Sequence, residues 1–181
     1  MLVRTGVGDF TDGVVILPHA GLPMQKFLTM FGDATGSQQM TGNYFVTPAD
    51  FFYLATSFFD IHSFQITISD AAKFNQSDYG AITGGLTNGV RVFIYKTDFG
   101  VEFPLLSSVP FKTNQQWFQI TSSASLTAFE GTPQTLVVDF DLAKDYGTPI
   151  QMVKGDKFIT RLNDDFTGLT GHTAMIRGVA Y

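Results

Sequence analysis

Three histidines, His19, His62 and His172, are the side chains of this chain that ordinarily exchange protons near neutral pH, and none stands in a catalytic or metal-binding pattern. A zinc protease spaces two imidazoles as HExxH, an α/β-hydrolase sets its serine in GxSxG, and a phosphate loop reads GxxxxGK. The sequence contains none of the three. His62 opens an alternating segment and His172 follows an acidic connection, positions that suit structural histidines.

The acids are the next candidates. Asp139 and Asp141 fall on one side of an alternating segment, and Asp164 and Asp165 are neighbours in a turn, so hard oxygen ligands of the kind calcium takes are present. The DxDxDG loop that spaces such ligands is absent, and aspartates in turns cap backbone N–H groups. Glu102 and Glu130 are the only glutamates, and nothing marks them as the carboxylate pair of a glycosidase. With no cysteine, disulfides, thiolate nucleophiles and cysteine-based zinc sites drop out. Trp117 with the tyrosines is the one argument for a sugar-stacking platform. Against it, 19 Phe outnumber 1 Trp and 6 Tyr, and Phe in alternating segments is core. No catalytic residue, no cofactor-binding residue and no metal ligand is therefore assigned.

Composition narrows the partners. The net charge is −5 and the 11 basic residues are spread singly, so no cluster neutralises a run of phosphates and nucleic acid is not an expected partner. The longest apolar run, Phe51–Ala55, is far too short to span a bilayer, and MLVRTGVGDF lacks a signal-peptide core, so a soluble, non-membrane protein is expected. Asn75-Gln76-Ser77 matches a glycosylation sequon and reads as a polar turn. At 181 residues one domain can bury roughly 70% of its unfolded surface.

The elements that must position these residues are strands. Phe64, Ile66 and Ile68 alternate with Gln65, Thr67 and Ser69; Val90, Val92 and Ile94 follow Asn88-Gly89, a type I′ turn pair; Leu136, Val138, Phe140 and Leu142 alternate with Val137, Asp139 and Asp141. Val14–Leu17, Lys26–Phe31 and Trp117–Thr121 add shorter runs, and Asp70–Asn75 is the one expected helical turn. The C-terminal stretch reads as strand, ordered acidic turn and closing strand: Phe158, Thr160 and Leu162 on one face, then Asn163–Gly171, then Thr173–Val179 paired inside a sheet. Nine or ten strands without a helical period predict an all-β antiparallel sandwich, jelly-roll-like, formed by residues 13–181 behind an arm of residues 1–12. The polar loop 32–43 and the arm are the expected contact segments.

Asp78-Tyr79-Gly80, Gly85-Leu86-Thr87-Asn88-Gly89-Val90, Lys112-Thr113-Asn114 with Trp117, and Leu162–Leu169 (LNDDFTGL) with His172 together resemble a group of proteins encoded among the virion genes of tailed bacteriophages. The resemblance covers roughly residues 60–181. It implies a non-enzymatic structural protein of the virion, formed in the host cytoplasm: a capsid decoration or cement subunit on the major capsid protein lattice. A tail or head–tail connector component and a carbohydrate-binding module are the alternatives. Nineteen Phe with 15% charged residues leave apolar surface for a homo-oligomer, a trimer in a lattice setting. The adjacent pairs Phe51-Phe52 and Phe58-Phe59 would supply that interface if extended, because neighbours on a strand face opposite ways. A coiled corner would instead bury all four.

Overall fold

The structure is a computed structural model describing residues 25–32, 38–119, 125–129 and 134–181. It contains strands β1 (Gln25–Gly32), β2 (Ala49–Leu54), β3 (Phe59–Asp70), β4 (Val90–Lys96), β5 (Val101–Leu105), β6 (Ser125–Phe129), β7 (Gln134–Asp141), β8 (Ile150–Met152), β9 (Lys157–Leu162) and β10 (Gly171–Ala180). Two short helices, α1 (Asn114–Gln119) and α2 (Leu142–Tyr146), complete the described elements. One sheet has the order β1-β10-β3-β7-β6 with β8 also on β3, and the other has β2-β9-β4-β5. All these pairings are antiparallel. The fold is the expected all-β sandwich, with the closing strand β10 inside a sheet between β1 and β3; the jelly-roll path is not confirmed by these orders.

The alternating residues build the core between the sheets. Phe64, Ile66 and Ile68 of β3, Leu136, Val138 and Phe140 of β7, and Ala174 and Ile176 of β10 face Val90, Val92 and Ile94 of β4 and Phe158 and Leu162 of β9 in one apolar cluster. The rings of Phe64 and Phe158 meet across the interior at 5.1 Å. On β3 the buried positions run 59, 61, then 64, 66, 68, a change of parity that no regular strand permits. The step is a bulge. β10 pairs Arg177 with Ser63 and Gly178 with Ile61, and on the other side β7 stops at Ser63 where β8 starts at Ile61, so both neighbours skip His62. The extra residue turns Ile61 and Phe64 to the same side and leaves His62 exposed. Gly178 lies against this irregularity, where a Cβ would stand 1.8 Å from the Asp60 carbonyl oxygen.

Several local expectations need correction. Residues 71–75 form no helix: Asp70 ends β3, and its Oδ1 accepts from Ala72 N at 3.3 Å, satisfying locally the donor that a helical turn would have used. Trp117 lies in α1 rather than opening a strand, held by the Lys112–Thr113 backbone donating to Gln116 Oε1. Leu142 starts α2 instead of ending β7, because Asp141 caps the helix by accepting from Lys144 N at 3.0 Å and Gly147 closes it at φ 75°. The Asn88-Gly89 step is not a type I′ turn, since only Gly89 has positive φ, although β4 does follow it. For the phenylalanine pairs, β2 is extended, burying Phe51 and exposing Phe52; Phe59 is buried and Phe58 packs edge-on against Tyr181. The corner that would bury all four is therefore not what forms. The arm 1–12, Val14–Leu17, His19, Glu130 and part of the 32–43 loop lie outside the described residues.

Gly178→Ala should cost roughly 2–4 kcal/mol, because the obstacle is backbone rather than a movable side chain. Gly171→Ala on the same strand, where a Cβ meets Ser69 Cβ at an ordinary 3.5 Å, should stay within about 1 kcal/mol of the parent. Urea denaturation of both variants checks this, and equal midpoints would refute the close approach as a constraint.

Candidate functional site

The four segments that carry the resemblance meet at one end of the sandwich, where Asp164 ties the last of them to the second. Its buried carboxylate accepts from three successive backbone N–H groups: Thr87 at 3.0 Å, Asn88 at 2.9 Å and Gly89 at 2.5 Å. The Asp164 carbonyl accepts from Tyr44 N, and Asn88 Nδ2 donates to the Asn163 carbonyl at 2.9 Å. A second polar knot lies beside it. Asn114 Oδ1 accepts from Gly80 N, its Nδ2 donates to the carbonyls of Asn75 and Gly80, and Asp78 accepts from Gly84 N and Asn75 Nδ2. These bonds, led by that from Gly84 N, hold the Asp78 carboxyl below the usual range.

An aromatic cluster fills the space behind the two knots. Tyr79 stacks on His172 at 5.9 Å and touches Trp117 and Phe166, while Trp117 stacks on Phe111 at 4.0 Å. Tyr79, Trp117, Phe166 and His172 are fully buried. His172 Nε2 lies 2.8 Å from the Tyr79 hydroxyl. Burial pushes the imidazole down to about 3 and the phenol well up, so both are neutral near pH 7. Neither touches solvent. Trp117 is equally inaccessible and offers no ring face to a sugar, whereas Tyr146, one of the tyrosines named with it, is exposed.

The acids considered for chemistry are dispersed. Asp139 accepts from Gln65 Nε2 at 2.8 Å and lies 3.6 Å from Arg177, Asp141 caps α2, and Asp165 accepts from Asn43 and Thr167. Among the described residues no group of three or more His, Cys, Asp or Glu side chains is placed to hold a metal ion. Glu102 is drawn into an arginine cluster instead.

That cluster lies on the outer face of the β2-β9-β4-β5 sheet and was not legible from spacing. Arg161 donates from Nε and Nη2 to Asp50, at 2.6 and 2.8 Å, and from Nη1 and Nη2 to Glu102, at 3.1 and 3.0 Å. Its guanidinium lies 4.8 Å from the Phe93 ring centroid. Lys157 sits 4.7 Å over Phe52 and 5.8 Å over Tyr95. These cations roof an apolar layer, which is why Ile159 and Phe93, on the solvent side of the sheet, are only 3% and 9% exposed. Asp50 first, then Glu102, raises the already high Arg161 pKa further. Where this face meets the Asp164-held turn there is a pocket of about 340 Å³ lined by Asn88, Gly89, Arg91, Arg161 and Asn163. Its walls come from two of the four resemblance segments plus one arginine from each of β4 and β9. No family model, curated protein or solved structure matches the chain.

Two measurements test this corner. Removing the Asp164 carboxylate leaves three N–H groups without their acceptor, so Asp164→Ala should cost about 3–5 kcal/mol, or prevent folding, while Asp165→Ala on the exposed side should cost about 1 kcal/mol or less. Denaturation midpoints of the pair decide it, equal losses counting against the hub. For His172, the unfolded imidazole takes up a proton below its ordinary 6.5 whereas the folded one does so only near 3. Its contribution is therefore complete above pH 6.5 and lost as pH falls toward 3, at up to about 1.4 kcal/mol per pH unit. Urea midpoints between pH 7 and 4.5 should fall for the parent and less steeply for His172→Gln, and the parent's His172 ring proton signal should not titrate between pH 7 and 5.

Proposed function

We propose that this chain is a non-enzymatic structural protein of a tailed-phage virion, a capsid decoration subunit that docks on the major capsid lattice together with its own copies. The virion setting comes from the resemblance. The observation that carries the structural role is that its most distinctive residues are consumed in scaffolding: Asp164 holds a turn, and His172 and Trp117 are core. Docking surface is available elsewhere. Phe99, Val101 and Phe103, at the β4–β5 hairpin, are 70%, 47% and 44% exposed, and the Phe99 and Phe103 rings meet edge-on at 6.4 Å. An apolar tip of this kind is a feature of contact surfaces. Phe52 and Leu54 add exposed apolar groups at the opposite edge strand of the same sheet. A tail or connector location uses the same surfaces and differs only in the lattice contacted.

The paired change Phe99→Asp with Phe103→Asp should leave the circular dichroism spectrum and urea midpoint close to the parent, because both rings are exposed. It should reduce occupancy on particles lacking the native subunit about tenfold or more. Unchanged occupancy would remove the hairpin from the interface, and immunolabelling confined to tails would replace decoration with the tail reading.

A further inference from the structure

Of the five asparagines in the chain, only Asn88 is followed by glycine. An Asn-Gly pair is the one most prone to spontaneous deamidation, because glycine puts no side chain in the way when its backbone nitrogen attacks the neighbouring side-chain amide. The attack needs two freedoms: the Gly89 nitrogen must lose its proton, and the Asn88 side chain must swing its Cγ onto that nitrogen. The structure withholds both. Gly89 N–H donates to Asp164 Oδ2 at 2.5 Å and Asn88 N–H to the same oxygen at 2.9 Å. A carboxylate is far too weak a base to take an amide proton, so its negative charge beside the N–H opposes formation of the amide anion. Asn88 Nδ2, the group that would leave, is anchored on the Asn163 carbonyl at 2.9 Å. On its other side Gly89 lies against Phe111, where a Cβ would stand 2.6 Å from the carbonyl oxygen. Burial is not the shield, since the pair borders a pocket of about 340 Å³, space enough to admit water. The hydrogen bonds are.

We propose that Asn88 is a latent modification site gated by the Asp164 carboxylate, and that its deamidation makes opening of this end of the sandwich irreversible. Once Asp164 releases the turn, Gly89 N gives its proton to hydroxide and bonds to Asn88 Cγ. The Cγ–Nδ2 bond breaks, and the amide nitrogen leaves as ammonia with a proton taken from water. Water then opens the succinimide at one of its two carbonyl carbons, leaving aspartate or isoaspartate at position 88. Either product lacks the Nδ2 donor to the Asn163 carbonyl and sets a second carboxylate beside Asp164. Isoaspartate also lengthens the backbone by a methylene, which moves the Gly89 N–H away from its acceptor. Like charges at this spacing oppose re-closure, so the turn that aligns β4 with β9 does not re-form.

The full chain is held at mildly alkaline pH beside the free peptide acetyl-Thr-Asn-Gly-Val-amide. Conversion of Asn88 is followed by mass spectrometry on the tryptic peptide of residues 74–91. The folded parent should convert at least about tenfold more slowly than the free peptide. Asp164→Asn, which keeps the shape and removes the charge, should recover most of the peptide's rate. Gly178→Ala, destabilised toward the far end of β10, should stay close to the parent. In the parent itself, urea below the unfolding midpoint should raise conversion of Asn88 in step with hydrogen exchange at the Gly89 amide. That series decides the matter if Asp164→Asn does not fold. Conversion of the parent as fast as the peptide, equal acceleration by the two variants, or conversion that does not follow Gly89 exchange overturns the gate. For irreversibility, Asn88→Asp should lower the urea midpoint at neutral pH more than Asn88→Ser, which loses the same donor without adding charge. Equal midpoints overturn the second carboxylate as the cause.

Discussion

The carboxylate of Asp164 is the constraint on which one whole end of the sandwich depends. Three consecutive N–H groups point at it from the approach to β4, and an anion held by three charge-assisted hydrogen bonds can be buried where an unpaired one cannot. Because Asp164 follows closely on β9, the same contact sets where β4 begins relative to β9 and where Tyr44 can dock. The connection into β10 continues from there, with Phe166 and His172 closing over Tyr79. Loss of the carboxylate would expose a polar turn and an aromatic cluster together, which makes this corner one cooperative unit.

A second dependence runs through the outer face of the four-stranded sheet. A sheet packed on one side leaves its other face wet, and here that face carries Phe52, Phe93, Tyr95 and Ile159. Lys157 and Arg161 lie down over those rings, and Asp50 and Glu102 clamp Arg161 in place. The roof lets β9 and β4 carry apolar groups on both faces without presenting a broad bare patch. The same clamp fixes one wall of the pocket through Arg161, so the arrangement that hides apolar area is the one that shapes the pocket.

At the opposite end, Asp156 plays a related part. Burial pushes its carboxyl up, but the bond from Lys96 and those from the Val153 and Thr97 N–H groups outweigh burial and hold it below the usual range. It ties the turn before β9 to the end of β4. With Asp164 beyond the other end of β9, that central strand is pinned at both ends by buried aspartates.

Local pattern determined the strands: the period-2 runs at Phe64–Ile68, Val90–Ile94 and Leu136–Phe140 bury one face whatever their partners, so an all-β sandwich with β10 inside a sheet was legible residue by residue. The structural parts of His172 and of the neighbouring acids Asp164 and Asp165 were legible in kind, since aspartates in turns seek backbone donors, but their partners were not. What the tertiary structure alone decided is what lies across the fold. Trp117 became core because Tyr79 and Phe140 meet its ring from distant segments; His62 became a bulge because β10, β7 and β8 all skip it; Arg161, unremarkable in sequence, became the centre of a cluster because Asp50 and Glu102 arrive from flanking strands. Hydrogen bonds and ion pairs between groups separated by 59 to 111 positions leave no periodic trace in a chain, because their geometry exists only once the strands have paired into sheets.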